Sequence, residues 1–344
     1  NRRQTMWNAV IVDRDYGSVS LENQKYIKEE YAKNGISLRL AHYTTPDEII
    51  ANCKDADVIL GTGNPPITKE VLEGLPKLKA VQRFGIGVNS VDLEAATKAG
   101  TLILYMPGFC VQELAIHASA LILDLLRNVS FYDRRIRTGQ WPKAGGPVPR
   151  NPKDLVLGLY GFGGSAKPLY DIFHHGFGTK VITCDPYINK DIRENYDVEI
   201  VSFDELLGQS DIISIHAPLT AETHHIFNRE AYAKMKKDSM IVNIARGGLI
   251  DQDDLNWALD HGEIRFAGLD VFEMEPLPAN DPLIRNEQAV LTCHSAFYGD
   301  HAQKNQIQLS IDLVDSVLNK KSIQSVYIAN KGVKSKIDGF HTVN

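Results

Sequence analysis

Long apolar runs, basic blocks and paired cysteines are all missing from this sequence. No run of 18 apolar residues occurs among its 344 residues, so no segment reads as a membrane-spanning helix and a membrane is not an expected partner. The formal net charge is only −6, with no cationic cluster, which argues against nucleic acid or an anionic surface as the main partner. The four cysteines, Cys53, Cys110, Cys184 and Cys293, are widely scattered. That spacing excludes a cysteine-based zinc site, and no metal is expected. It also suits a reducing compartment, so the expected location is the cytoplasm. No apolar stretch of leader length follows Asn1-Arg2-Arg3-Gln4-Thr5, and a secretory leader is not expected.

What is present is alternation. Short apolar runs at 9–12, 37–40, 58–60, 80–82 and 102–104 read as strands, with helical patterns between them. Met106-Pro107-Gly108 interrupts this series. A long helix is expected over 110–126, its pattern reaching Arg137, followed by a loop rich in proline and glycine over 139–154. Alternation resumes with strands expected over 155–160, 180–184, 211–216, 240–244, 266–271 and 289–292, and a helix over 301–319. From Lys331 onward the chain reads as a loose tail. Strand–helix–strand repetition in both halves predicts an α/β protein of two doubly wound, Rossmann-like parallel-sheet domains.

The strand over 155–160 runs into Gly161-Phe162-Gly163-Gly164-Ser165-Ala166. Glycines at its first two key positions and a small residue at the third match the dinucleotide turn. The first permits the sharp turn, the second a close approach of backbone to pyrophosphate, and the third tight helix–strand packing. The next strand ends at Asp185, where a carboxylate accepts hydrogen bonds from an adenosine ribose and repels a 2′-phosphate, so NAD is expected rather than NADP.

Three polar residues follow later strands of the same series: Arg246, Glu275 and His294. Ligands of open α/β sheets bind beyond the carboxyl ends of strands. Reduction of a 2-oxo acid needs a proton on the carbonyl oxygen, which a histidine carries near neutral pH. A neighbouring carboxylate favours the imidazolium and fixes its tautomer. An arginine binds the substrate carboxylate through paired hydrogen bonds. His117 reads as a hydrogen-bonded structural residue of the long helix, and the pairs His174/His175 and His224/His225 as surface positions or helix ends.

These residues stand in blocks that resemble the D-2-hydroxyacid dehydrogenase family. The blocks are Phe84-Gly85-Ile86-Gly87-Val88-Asn89-Ser90-Val91-Asp92, the turn at 161–166, and His216-Ala217-Pro218-Leu219-Thr220 through Thr223. Val242 to Asp251 around Arg246, Gly268 to Pro276, and His294-Ser295-Ala296 complete the set. The resemblance covers residues 8–330 and implies that Arg246, Glu275 and His294 are catalytic. It implies that backbone N–H groups of Ile86 and Gly87 meet the substrate carboxylate and that Phe297 packs near the substrate side chain. For the cofactor it implies Gly161, Phe162, Gly163, Gly164, Ser165 and Asp185, then His216, Ala217, Pro218 and Thr223. Ile244, Ala245, Asp270 and Ala296 complete that implied set.

The resemblance further implies a discontinuous substrate-binding domain, 1–106 with 297–344, and an NAD-binding domain, 107–296, with a cleft between them. It also implies a homodimer through the nucleotide-binding domain. Two departures stand out. Gly164-Ser165-Ala166 replaces the usual Arg-Ile-Gly, removing one potential phosphate contact and leaving its effect on NAD affinity open. Cys293 precedes the active histidine where proline is usual, and is a candidate reactive thiol if exposed.

Phe297 and Tyr298 resemble the C-terminal-binding-protein branch, and the block at 84–92 the phosphoglycerate dehydrogenases. The loop Gly61-Thr62-Gly63-Asn64 offers no cation for a phosphate, and the sequence leaves no length for a regulatory domain, so an unphosphorylated 2-oxo/2-hydroxy acid is expected. An NAD(H)-sensing co-regulator of the C-terminal-binding-protein kind is the alternative, since those proteins keep the trio. Formate and phosphite oxidation fit less well: the first places Gln at the Glu275 position, and the second a Lys in a loop that here has none.

Overall fold

The computed structural model describes residues 6–13, 21–142 and 146–343, with backbone only for 21–23, 191 and 193. Residues 1–5, on which the expectation about a leader partly rests, lie outside that set. The chain divides into two compact units, Asn1–Phe109 with Asp300–Asn344, and Cys110–Gly299.

The first unit holds five parallel strands: β1 (Trp7–Ile11), β2 (Ile36–Leu40), β3 (Val58–Gly61), β4 (Ala80–Arg83) and β5 (Leu102–Leu104), in the order β2-β1-β3-β4-β5. β3, β4 and β5 are buried along their whole length, and β3 and β5 read accordingly as apolar runs, whereas β4 also buries Gln82 and Arg83. The segment past Lys331 is not loose. Asn330 accepts from the Ile103 N–H (2.9 Å) and donates to Thr101 O (2.9 Å), and Lys336 Nζ donates to the Pro76 and Leu78 carbonyls (both 3.2 Å). His341–Val343 pairs in parallel with Ser322–Gln324. Two of these anchors are polar side chains, Asn330 and Lys336, bound to backbone groups distant in sequence, a pairing that composition does not reveal.

The second unit holds β6 (Val156–Tyr160), β7 (Lys180–Cys184), β8 (Glu199–Ile200), β9 (Ile212–Ile215), β10 (Met240–Asn243), β11 (Phe266–Leu269) and β12 (Ala289–Leu291). All pairings are parallel, in the order β12-β11-β10-β9-β6-β7-β8. The order reverses between β9 and β6, which is where a doubly wound sheet opens a ligand crevice. The long helix Val111–Arg127 packs on β10 and β11, burying Ala115, Ala118, Leu121, Ile122, Leu125 and Leu126. It ends at Asn128, whose φ of 57° is left-handed, and Val129–Arg137 continues at 65° to it rather than extending it. Among the described residues no single helix is long and apolar enough to cross a membrane.

Candidate active site

The predicted residues of the second unit lie at the carboxyl ends of six adjacent strands. Gly161 follows β6 with φ 92°, a conformation that glycine adopts without a Cβ penalty. A Cβ there would also sit 3.0 Å from the Ala217 nitrogen and 3.1 Å from the His216 carbonyl carbon. The turn after β6 and the loop after β9 therefore touch backbone to backbone. Around Gly163 a Cβ would meet nothing within 4 Å, so this stretch of main chain faces open space, as an approaching pyrophosphate requires. Ala166 is fully buried at the start of the next helix, where one methyl fills the packing position. Pro168 falls in that helix's first turn, where no N–H is needed.

Ser165 ties the turn to the loop after β9. Its hydroxyl lies 2.9 Å from His216 Nδ1, and Ser214 Oγ lies 2.9 Å from His216 Nε2. Burial of the ring pushes the His216 pKa down to about 3. Asp185 closes β7. Its carboxylate accepts from the Phe162 N–H (2.8 Å) and the Tyr187 N–H (2.7 Å), which aims it along the glycine turn. Thr223 Oγ1 donates to Pro218 O (2.8 Å), so this residue closes its own loop.

Arg246 follows β10. Asn243, fully buried, donates to Arg246 O (2.8 Å) and accepts from the Ala245 N–H (3.0 Å), fixing the backbone that presents the guanidinium. Ile244 is buried beside them. Burial lowers the Arg246 pKa from its ordinary value, opposed by the charges of Glu275 and Cys110. The next residue, Gly247, is pressed against the loop after β11: a Cβ would lie 1.9 Å from the Phe272 carbonyl carbon.

That loop carries Glu275. Its Oε1 accepts from the Phe272 N–H (3.0 Å), and its Oε2 lies 2.6 Å from His294 Nδ1. Burial works to raise the Glu275 pKa, but these hydrogen bonds and the charges of His294 and Arg246 outweigh it, and the net shift is downward. His294 follows β12 with φ 53° and is held by its N–H to Asp270 O (2.7 Å). Asp270, with no exposed surface, also accepts from Thr292 Oγ1 (2.5 Å), the Ser295 N–H (2.9 Å) and the Ala296 N–H (2.9 Å). His117 joins this hub through Thr292 Oγ1 at 2.9 Å. The Phe297 ring stands edge-on to His294 with centroids 6.4 Å apart. Cys293 is exposed.

The trio is thus brought together on β10, β11 and β12, with His294 and Glu275 in direct contact and Arg246 within reach of the Glu275 charge. Asn243, Gly247 and Thr292 were not singled out from the sequence. A buried asparagine or threonine at a strand end carries no spacing signal of its own.

Ile86 and Gly87 lie in the first unit, in the loop after β4, with Ile86 exposed. The loop at 61–64 has no cation of its own, yet Arg83 reaches it from β4. Its Nη1 donates to Gly61 O (3.0 Å) and its Nε to Gly87 O (3.3 Å). Asp13 accepts from Thr62 Oγ1 (3.0 Å) beside it, and burial raises the Asp13 pKa despite these bonds and the Arg83 charge.

The sequence model of the D-isomer specific 2-hydroxyacid dehydrogenase NAD binding domain matches residues 119–296. A glyoxylate reductase of Korarchaeum cryptofilum is 37% identical over 253 residues, 72% of this chain and 75% of that protein. A D-3-phosphoglycerate dehydrogenase of Methanocaldococcus jannaschii is 36% identical over 288 residues; 82% of this chain matches, but only 53% of that protein is spanned. The crystal structure of D-lactate dehydrogenase from Aquifex aeolicus complexed with NAD and lactic acid superposes with a TM-score of 0.80 at 26% identity, covering 91% of this chain and 96% of that one. The glycine turn, the strand-end carboxylate and these matches agree: the chain belongs to the D-isomer-specific 2-hydroxyacid dehydrogenase family and is an NAD-dependent oxidoreductase.

Proposed function

We propose that this protein interconverts a small, unphosphorylated 2-oxo acid and its D-2-hydroxy acid, with His294 as the acid/base, Glu275 as its partner and Arg246 as the carboxylate anchor. The observation that carries this reading is the 2.6 Å contact between His294 Nδ1 and Glu275 Oε2. It occupies one ring nitrogen and leaves Nε2 to exchange a proton with the substrate oxygen.

Bound NAD supplies or takes the hydride at C2. The protein's own residues handle charge and protons. In reduction, His294 donates its Nε2 proton to the C2 oxygen, and Glu275 stabilises the imidazolium that precedes transfer. In oxidation the neutral ring takes the same proton back. Arg246, partly desolvated, offers paired N–H donors to the carboxylate, where a planar guanidinium outperforms an ammonium. Gly161 through Ser165, Asp185, the His216–Pro218 backbone, Thr223, Ile244, Ala245, Asp270 and Ala296 hold the cofactor in this reading. Residues 1–109 with 300–344 serve the substrate, Ile86 and Gly87 offering it backbone N–H groups. Phe297 packs on the substrate side chain.

The test is a panel of 2-oxo acids whose side chain runs from methyl through hydroxymethyl and isobutyl to benzyl, assayed by NADH consumption. We expect turnover with at least one of them and none with a phosphorylated analogue. Tight NADH binding with no turnover on any acid would refute the reading.

A further inference from the structure

We propose that His225 is a positioning residue for this reaction, its imidazole tying the loop that carries Glu275 to the segment that follows Arg246; the proposal rests on the catalytic reading of Glu275 above. His225 has φ 52°, and its N–H donates to Gly248 O (2.9 Å). The chain continues beside 248–251, with the Phe227 N–H on Leu249 O (3.1 Å) and the Asp251 N–H on Phe227 O (3.0 Å). This places the ring between two carboxylates. Nε2 bonds Glu273 Oε1, and Nδ1 lies 3.4 Å from Asp251 Oδ2. His224 stacks on it with centroids 3.8 Å apart.

Each end of this strut belongs to the active-site frame. Glu273 shares its loop with Glu275, and its N–H points at Gln252 Oε1 (3.4 Å). Asp251 uses its other oxygen to cap the helix Gln252–Asp260 through the Asp254 N–H (3.0 Å). Behind Asp254, Arg229 pairs at 3.1 Å. The charged and titratable groups around His225 are therefore His224, Asp251 and Glu273, with the Asp254–Arg229 pair beyond. Carboxylates only accept, so only a ring carrying both N–H protons donates to both. The three side chains are 29–37% exposed. Solvent at that level leaves such pairs little effect on global stability. The structural consequence is local: the strut limits how far residues 271–275 can move from the Gly247 backbone they press on.

The experiment compares His225→Asn, which tolerates the left-handed backbone, and Glu273→Ala, which removes the acceptor at the strut's other end, each alone and combined with Glu275→Gln. Because a small misplacement of catalytic groups is costly, we expect kcat to fall about 10- to 100-fold in each single variant. NADH affinity and melting temperature stay at wild-type values. Acting through Glu275, neither change should add to the loss in Glu275→Gln. The loss should fall on kcat, with the KM for the 2-oxo acid left near its wild-type value. Unchanged kcat in both strut variants, a loss that falls on KM instead, or losses that multiply with Glu275→Gln, overturn the proposal. A wild-type-like Glu275→Gln would instead overturn the catalytic reading itself, and the strut with it.

Discussion

At the scale of single residues, the site is built on positions where no other side chain fits. Gly247 is the sharpest case: an added methyl would overlap the Phe272 carbonyl group, which is backbone and cannot rotate away. Gly247→Ala should destabilise the fold by about 1–3 kcal/mol through overpacking, read as a lower melting temperature, and should reduce turnover because it pushes Arg246 and Glu275 apart. Asp185 acts through charge rather than through space. Backbone N–H groups orient it, so its effect on the cofactor is electrostatic and fixed in direction. Asp185→Ala should lower the NAD/NADP preference in kcat/KM; an unchanged ratio would remove Asp185 from the ribose site.

Among the elements, the strand ends carry the chemistry and the loops lock one another. The turn after β6 and the loop after β9 are joined by Ser165 and His216, whose ring is held neutral. The unfolded chain takes up a proton below about pH 6.5 that folded His216 refuses until about pH 3, so stability falls as pH drops through that window. Glu275, with its pKa lowered, adds an acid loss in the same direction but below the ordinary carboxylate range. His216→Asn should therefore flatten the decline in melting temperature between pH 7 and pH 5, and an unchanged slope would show that His216 does not couple to folding.

These elements also show what sequence can reveal. Buried strands such as β3 and β9, the glycine turn and the trio at successive strand ends were legible because each has a local signature: an apolar run, a fixed spacing, a polar residue where a strand stops. The two-residue β8, the break at Asn128 and the anchored segment after Lys331 were not, since tertiary hydrogen bonds define them. His225 read as a surface residue for the same reason: its partners Asp251 and Glu273 are distant in sequence. Arg83 was passed over because it is buried in a strand, and only the fold brings it under the loop at 61–64.

For the whole molecule, two doubly wound parallel sheets divide the chain, and the dinucleotide features and the catalytic trio fall in the same unit, Cys110–Gly299. The substrate's identity then depends on the panel of acids, whereas the reaction type depends on one histidine. The most direct measurement is turnover of His294→Ala with NADH and the best 2-oxo acid, with NADH affinity titrated on the same preparation. Loss of a general acid predicts a fall of about 10²–10⁴-fold in kcat with NADH affinity retained. Turnover at the wild-type rate would contradict the account.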